Sequence, residues 1–174
     1  IVNLCNDLSI AIVEDCAHSL GATLDGQHTG LYGVAGVYSL YATKAIPAGE
    51  GGIVVSNDHE LGELISKFSI YDRFDQEIDI GVNIRMSELS ALLSLSVLEC
   101  IEEIIKDKMD VAYRYIKACD KVGIKYFHPE KDGQRSNLYK FIIIGGSNYD
   151  FKKLSIRTSP VYDYSLGADP TGIV

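Results

Sequence analysis

Lys44 ends the run Tyr38-Ser39-Leu40-Tyr41-Ala42-Thr43-Lys44. The loop after it carries Gly49, Glu50, Gly51 and Gly52 ahead of the β-prone Ile53-Val54-Val55. Drawing an ammonium out of water is costly, and what a fold gains is a neutral amine able to form an imine with an aldehyde. The commonest role of a lysine at a strand end is a solvated surface charge. The neighbours of Lys44 point elsewhere. Ser39, five residues earlier, offers a hydroxyl, and the glycine-lined backbone offers exposed N–H groups. Together they suit an aldehyde that also bears a phosphate.

Asp15 supplies a second element. It ends Ile10-Ala11-Ile12-Val13-Glu14-Asp15, a short apolar, β-branched run that stops in two carboxylates. Such runs suit a strand buried on both faces of a parallel sheet, and open α/β sheets bind ligands at the carboxyl ends of their strands. A carboxylate there can hold a pyridine nitrogen protonated, the condition under which pyridoxal phosphate acts as an electron sink. A helix N-cap is the competing role for Asp15.

The elements that must position these residues follow from periodicity. Gly36–Tyr41 and Gly52–Ser56 predict two further strands, and Asp25–Gly33 has the composition of a turn. Leu61, Leu64, Ile65 and Phe68 place a helix over 59–70, followed by a polar loop from Tyr71 to Asn83. From Leu89 to Ile105 the apolar positions recur at helical spacing, predicting a long amphipathic helix with Ser87 as N-cap, continuing with a bend to about Cys119. Beyond Gly123, Ile124–Pro129 and Leu138–Gly146 predict strands of a small second domain.

Composition narrows the function classes. A net charge of −8 argues against nucleic-acid or anionic-membrane surfaces, which need a positive stripe. No run approaches the ~20 apolar residues that span a bilayer, and no signal peptide is visible in Ile1–Asp7. Cys5, Cys16, Cys100 and Cys119 are widely spaced with no CxxC pair, and are expected to be reduced and mostly buried, without metal. A cytoplasmic location is expected. His28, His59 and His128 have no partners at ligand spacing and receive no role, and the dispersed tyrosines read as core and interface filling.

Three stretches, Val13–Ala22 ("VEDCAHSLGA"), Gly36–Asp58 ("GVYSLYATKAIPAGEGGIVVSND") and Gly81–Leu89 ("GVNIRMSEL"), resemble the DegT/DnrJ/EryC1/StrS family of pyridoxal-phosphate-dependent sugar aminotransferases. The resemblance is collinear from about Ile10 to Ile105 and thins to "LYKFIII" and "SPVYDY" beyond Tyr126. It implies an α/β fold, the fold-type-I (aspartate-aminotransferase-like) arrangement. The C-terminal part of the large cofactor-binding domain would span 1–105, and part of a small C-terminal domain 106–174.

By motif position, Lys44 is implied as the lysine of the internal aldimine and as the acid–base between substrate carbon and the cofactor's C4′. Asp15 is implied as the partner of the pyridine nitrogen, His18 as a neighbour of the phenolic oxygen, and Ser39 as a phosphate ligand. Asn83 is implied to reach the phosphate of a neighbouring subunit, making a homodimer with shared sites. Arg85 and Glu50 read as structural. The cofactor implied is pyridoxal 5′-phosphate, and the substrates an amino acid, glutamate in much of the family, and a nucleotide-linked keto-sugar.

Members of this family are roughly twice as long, and the chain does not begin with Met, so it reads as a piece covering their middle and part of their C-terminal region. An incomplete large domain leaves apolar faces uncovered, and the isolated chain is expected to bind cofactor weakly. Two alternatives stay open. One is a truncated or regulatory member that is inert or only binds the cofactor. The other is a sugar dehydratase of the same family, against which Lys44 counts, because the known 3-dehydratases carry histidine there.

Overall fold

Local sequence fixes most of the elements in the computed structural model, which describes residues 1–70 and 81–145. In chain order these are α1 (Val2–Asp7), β1 (Val13–Asp15), β2 (Thr23–Leu24), β3 (Gln27–His28), β4 (Ala35–Ser39), β5 (Gly52–Val55), α2 (His59–Ile70), α3 (Glu88–Glu99), α4 (Ile101–Val122), β6 (Glu130–Lys131) and β7 (Gln134–Arg135). The short helix α1 was not anticipated by the sequence pattern. The strands predicted around Gly36 and Gly52 and the helix over 59–70 are all present. The expected loop over 71–80 lies outside the described residues.

A three-stranded sheet in the order β1-β4-β5 carries the first half. β1 runs parallel to β4 with Asp15 opposite Val37, and β5 runs antiparallel to β4 with Gly52 opposite Ser39. The strand expected over Ile10–Val13 begins only at Val13, and it is not buried on both faces: Ile10 is 54% and Val13 64% exposed. β1 is the edge strand here and pairs on one side only, so its apolar side chains have a ladder but no covering layer.

A second, four-stranded sheet has the order β3-β2-β7-β6. Each of its two hairpins turns on an Asp-Gly pair with both φ values positive, Asp25 (50°) and Gly26 (80°), then Asp132 (52°) and Gly133 (79°). That is the two-residue geometry matching strand twist, which Asp-Gly adopts readily. The turns meet where the Asp25 N–H donates to the Gly133 carbonyl at 2.8 Å. Arg135 of β7 clamps the sheet to α4 through a two-pronged contact with Glu102 at 2.9 and 3.0 Å. This hydrogen bond holds the Glu102 carboxyl below its ordinary pKa.

The predicted long helix is two helices. Ser87 caps α3 by accepting the Ser90 N–H at 3.1 Å, as expected. Cys100 then leaves helical geometry (φ −101°, ψ 9°) and α4 starts afresh. α4 buries the stripe Ile105, Met109, Ala112, Ile116 and Cys119 and ends at Gly123 in the left-handed conformation. α3 does not behave as an amphipathic helix: Leu89 (81% exposed), Leu92, Leu93 and Leu95 all face solvent. Its apolar residues lie all round the helix, so no single covering layer can take them.

The two C-terminal β-prone runs meet antiparallel at the Tyr126–Ile143 bridge. All four cysteines are free, but only Cys16 and Cys119 are buried; Cys100, at the helix break, is exposed.

Candidate functional site

The sheet register brings two of the predicted residues onto one face. Opposed residues of a parallel pair point to the same side, and side chains alternate along a strand. Asp15, opposite Val37, therefore shares a face with Ser39, two residues further along β4. Both lie at the carboxyl ends of their strands. This face is open, with Val37 41% and Val54 45% exposed. Asp15 Oδ1 accepts the Ala17 N–H at 3.1 Å, and Ser39 Oγ accepts the Tyr41 N–H at 3.3 Å. On the opposite face Tyr38 is buried and its hydroxyl donates to the Thr29 carbonyl. Burial pushes the Tyr38 phenol up.

Glu14, between Val13 and Asp15, holds the loop that follows β3. Its Oε2 accepts the Gly30 N–H at 2.7 Å, and its Oε1 accepts those of Tyr32 (2.6 Å) and Gly33 (2.8 Å). A run of backbone donors in a loop is an anion-binding arrangement, here filled by the chain's own carboxylate. It fixes the segment leading into β4 against the strand that ends in Asp15.

Lys44 sits in a loop closed at its neck. Leu40 is fully buried; its N–H donates to the Gly51 carbonyl and its carbonyl accepts the Ala48 N–H, both at 2.9 Å. Ala45, Ile46 and Ala48 are buried, and Ala45 and Ile46 join Ile105 of α4 in a core cluster. Lys108, one turn further along α4, donates from Nζ to the Ala45 carbonyl at 2.5 Å, and burial lowers its ammonium pKa. The residues after Lys44 are thus nailed to α4 while Tyr41, Ala42 and Thr43 are exposed, leaving Lys44 half-buried at the boundary. Gly51 (φ 133°) closes the loop in a conformation side chains avoid, and a Cβ there would lie 2.5 Å from Met86 Cε.

His18 and Lys44 meet through a residue the sequence reading passed over. The rings of His18 and Tyr139 lie 4.6 Å apart, and Lys44 Nζ is 5.7 Å from the Tyr139 centroid. Buried Asn137 locks this arrangement: its amide donates to the carbonyls of His18 and Leu20, both at 3.0 Å, and its oxygen accepts the Tyr139 N–H at 3.0 Å. The only hint in the sequence was the β-prone stretch containing Tyr139, which carries no spacing signal toward His18 or Lys44.

Asn83 stands apart from this group. It is exposed, and its Oδ1 accepts from Arg85 Nε at 3.0 Å; its segment reaches the lysine loop through Met86 on Gly51. Glu50 is exposed in the same loop. Two clefts lie elsewhere, a smaller one beside Phe127 and Phe141 and a larger one of about 560 Å³ along α4 between Glu102 and Arg135; neither includes Asp15, Ser39 or Lys44. Among the described residues no acidic, histidine or cysteine group has metal-binding geometry, and no helix is long and apolar enough to cross a membrane.

Comparison with known proteins identifies the family and the fold. The profile of the DegT/DnrJ/EryC1/StrS aminotransferase family matches residues 1–158. UDP-4-amino-4,6-dideoxy-N-acetyl-beta-L-altrosamine transaminase of Helicobacter pylori is 30% identical over 183 residues, covering 94% of this chain and 48% of that protein. GDP-perosamine synthase of Vibrio cholerae is 30% identical over 161 residues, covering 90% of this chain and 43% of that one. The solved structure of Helicobacter pylori PseC, an aminotransferase involved in the biosynthesis of pseudoaminic acid, superposes with a TM-score of 0.73 at 28% identity, over 81% of this chain and 40% of its own. The chain spans about half the length of the curated relatives it matches. Its α/β architecture is that of fold-type-I pyridoxal-phosphate-dependent aminotransferases.

Proposed function

The chain belongs to the DegT/DnrJ/EryC1/StrS aminotransferase family, and on that premise we propose that the protein it represents transfers an amino group from an amino acid to a nucleotide-linked keto-sugar. The observation that carries the reading is the shared open face of Asp15 and Ser39 beside the pinned loop of Lys44. The donor set suits pyridoxal 5′-phosphate, the cofactor of this family: a carboxylate for a ring nitrogen, a hydroxyl for a phosphate and an amine for an aldehyde. Bound there, the cofactor supplies an electron sink for charge developing at the substrate carbon.

The chain's own residues do the rest. Asp15 Oδ1 is engaged by the Ala17 N–H, and Oδ2 would be the oxygen to accept a pyridine N–H. Ser39 accepts the Tyr41 N–H and keeps its own hydroxyl proton for the phosphate. Lys44 would be the amine that meets the cofactor's aldehyde, and as a free amine it would serve as the acid–base that moves a proton at the substrate carbon. His18 orients the phenolic side. Asn83, whose oxygen is occupied by Arg85, would have its amide N–H groups available for the phosphate of a second subunit's cofactor in a homodimer with shared sites.

Two relatives named for UDP- and GDP-linked amino sugars support a nucleotide-sugar substrate. Residues 1–105 form part of the large domain in this reading, and 106–174 part of the small one. Four free thiols suit the reducing cytoplasm.

The test is borohydride reduction of the chain in excess pyridoxal 5′-phosphate, followed by peptide mass spectrometry. Selective pyridoxyl mass on Lys44, lost in Lys44→Ala and reduced in Asp15→Asn, is the expected result. Modification spread evenly over surface lysines would overturn the reading.

A further inference from the structure

We propose that Tyr139 is a positioning residue of this site, a ring that fixes the imidazole of His18 and the amine of Lys44 relative to one another. The proposal rests on the reading that Lys44 receives the cofactor aldehyde. His18 follows β1 and Lys44 follows β4, and the ring of Tyr139 touches both. The imidazole lies 4.6 Å from the phenol ring at a tilt of 34°, and Lys44 Nζ lies 5.7 Å from the same centroid. That is inside the ~6 Å at which an ammonium is drawn to an aromatic face.

The ring itself has little freedom. It packs against the cluster of Ala45, Ile46 and Ile105, so it shares the anchor of the lysine loop. Its backbone N–H is held by Asn137, which is 3% exposed and also binds the His18 carbonyl. Leu138, between them, has φ 52°, a conformation that a branched residue adopts only where its surroundings hold it. Lys140 Nζ also approaches the ring, at 5.4 Å, but Lys140 is exposed and can be solvated, whereas Lys44 is half-buried. A ring placed this way sets the reach of the amine and the plane of the imidazole.

The experiment compares the 174-residue chain with Tyr139→Leu and Tyr139→Phe. Each is treated at one pH with pyridoxal 5′-phosphate or, separately, formaldehyde, in the presence of a hydride reductant. Lys44 modification is followed by peptide mass spectrometry, with exposed Lys121 as the reference. Loss of the ring should slow pyridoxyl labelling of Lys44 about two- to fivefold. Formaldehyde, which needs no oriented seat, should react at the native rate, and Tyr139→Phe should match the native chain with both aldehydes.

Of the four histidines, only the His18 ring C–H resonances should move in Tyr139→Leu. Tyr139→Met, which keeps apolar bulk on the cluster, replaces the leucine variant where that fails to fold. Equal labelling of native and leucine chains, a parallel fall with both aldehydes, or a phenylalanine variant as impaired as leucine overturns the proposal. A native chain that takes no pyridoxyl group on Lys44 overturns the underlying reading as well. Native labelling that ignores Tyr139 overturns this proposal alone.

Discussion

The Glu14→Gln substitution tests whether a carboxylate holds the loop before β4. In the native chain Oε1 accepts two N–H groups, from Tyr32 and Gly33, and Oε2 accepts one, from Gly30. A glutamine can place its amide oxygen at the Oε1 position and keep two bonds, now neutral. Its NH₂ must then face the Gly30 N–H, donor against donor. Gly30 is buried, so water cannot replace the lost acceptor.

Hydrogen bonds to charged groups contribute ~1.5–3 kcal/mol against ~1 for neutral ones, and an orphaned buried donor costs ~1–3. Glu14→Gln should therefore destabilise by roughly 2–3 kcal/mol, and Glu14→Ala, losing all three acceptors, by roughly 3–5. Urea denaturation at constant slope measures this, and hydrogen exchange should show the Gly30 amide losing protection before those of Tyr32 and Gly33 in the glutamine variant. A glutamine cost below about 0.5 kcal/mol, or one equal to alanine's, would refute the assignment of the loop's stability to the charged acceptor.

Two further outcomes follow from the same contacts. Burial lowers the Lys108 pKa, so in alkaline solution the unfolded chain holds a proton that the folded one has released, and stability rises with pH up to the ordinary lysine value of about 10.4. Lys108→Met cannot titrate, so the native chain's stability relative to it should increase as the pH rises toward the ordinary lysine value in paired urea titrations; a flat difference contradicts the assignment. Gly36→Ala would place a Cβ 2.3 Å from Gly30 Cα and 2.6 Å from its carbonyl oxygen, where backbone cannot yield. A loss of about 1–3 kcal/mol or more is expected in the urea midpoint, and an unchanged midpoint would mean that the two segments can separate freely.

What the sequence made legible was what neighbouring residues decide. β4 and β5 announce themselves by β-branched and aromatic runs, α2 by its apolar spacing, and the start of α3 by Ser87. The four strands of the second sheet are two residues long, too short for alternation to register; only the turn composition around Asp25-Gly26 marked one hairpin. The apolar run Ile10–Val13 predicts a strand buried on both faces and the spacing in α3 an amphipathic helix, because hydrophobicity states a preference for cover. Whether cover exists depends on other segments: Ile10 and Val13 are exposed, and in α3 Leu89, Leu92, Leu93 and Leu95 are exposed while Val97 packs on the core. Lys44, Asp15 and Ser39 stand out as candidates through their chemistry and their motifs. Tyr139 and Asn137 do not, because their links to His18 cross well over a hundred residues of chain and leave no local pattern.

The way Lys44 is held explains how a lysine can be both fixed and available. The sheet fixes the start of its loop through Ser39 and the neck bonds of Leu40, and α4 fixes its end through Ala45, Ile46 and Lys108. Between these anchors the only groups left outward are Tyr41, Ala42, Thr43 and part of Lys44. The neighbouring sheet face presents Val13, Val37 and Val54 to solvent with a carboxylate and a hydroxyl at its rim. A planar heteroaromatic ring has that same division, an apolar face and polar edges. Covering the valines with such a ring would remove apolar area from water at ~25 cal/mol per Å², with Asp15 and Ser39 left at the rim for its polar edge. The rigid half of the arrangement follows the lysine, in Ala45 and Ile46, and the exposed half precedes it, in Tyr41, Ala42 and Thr43.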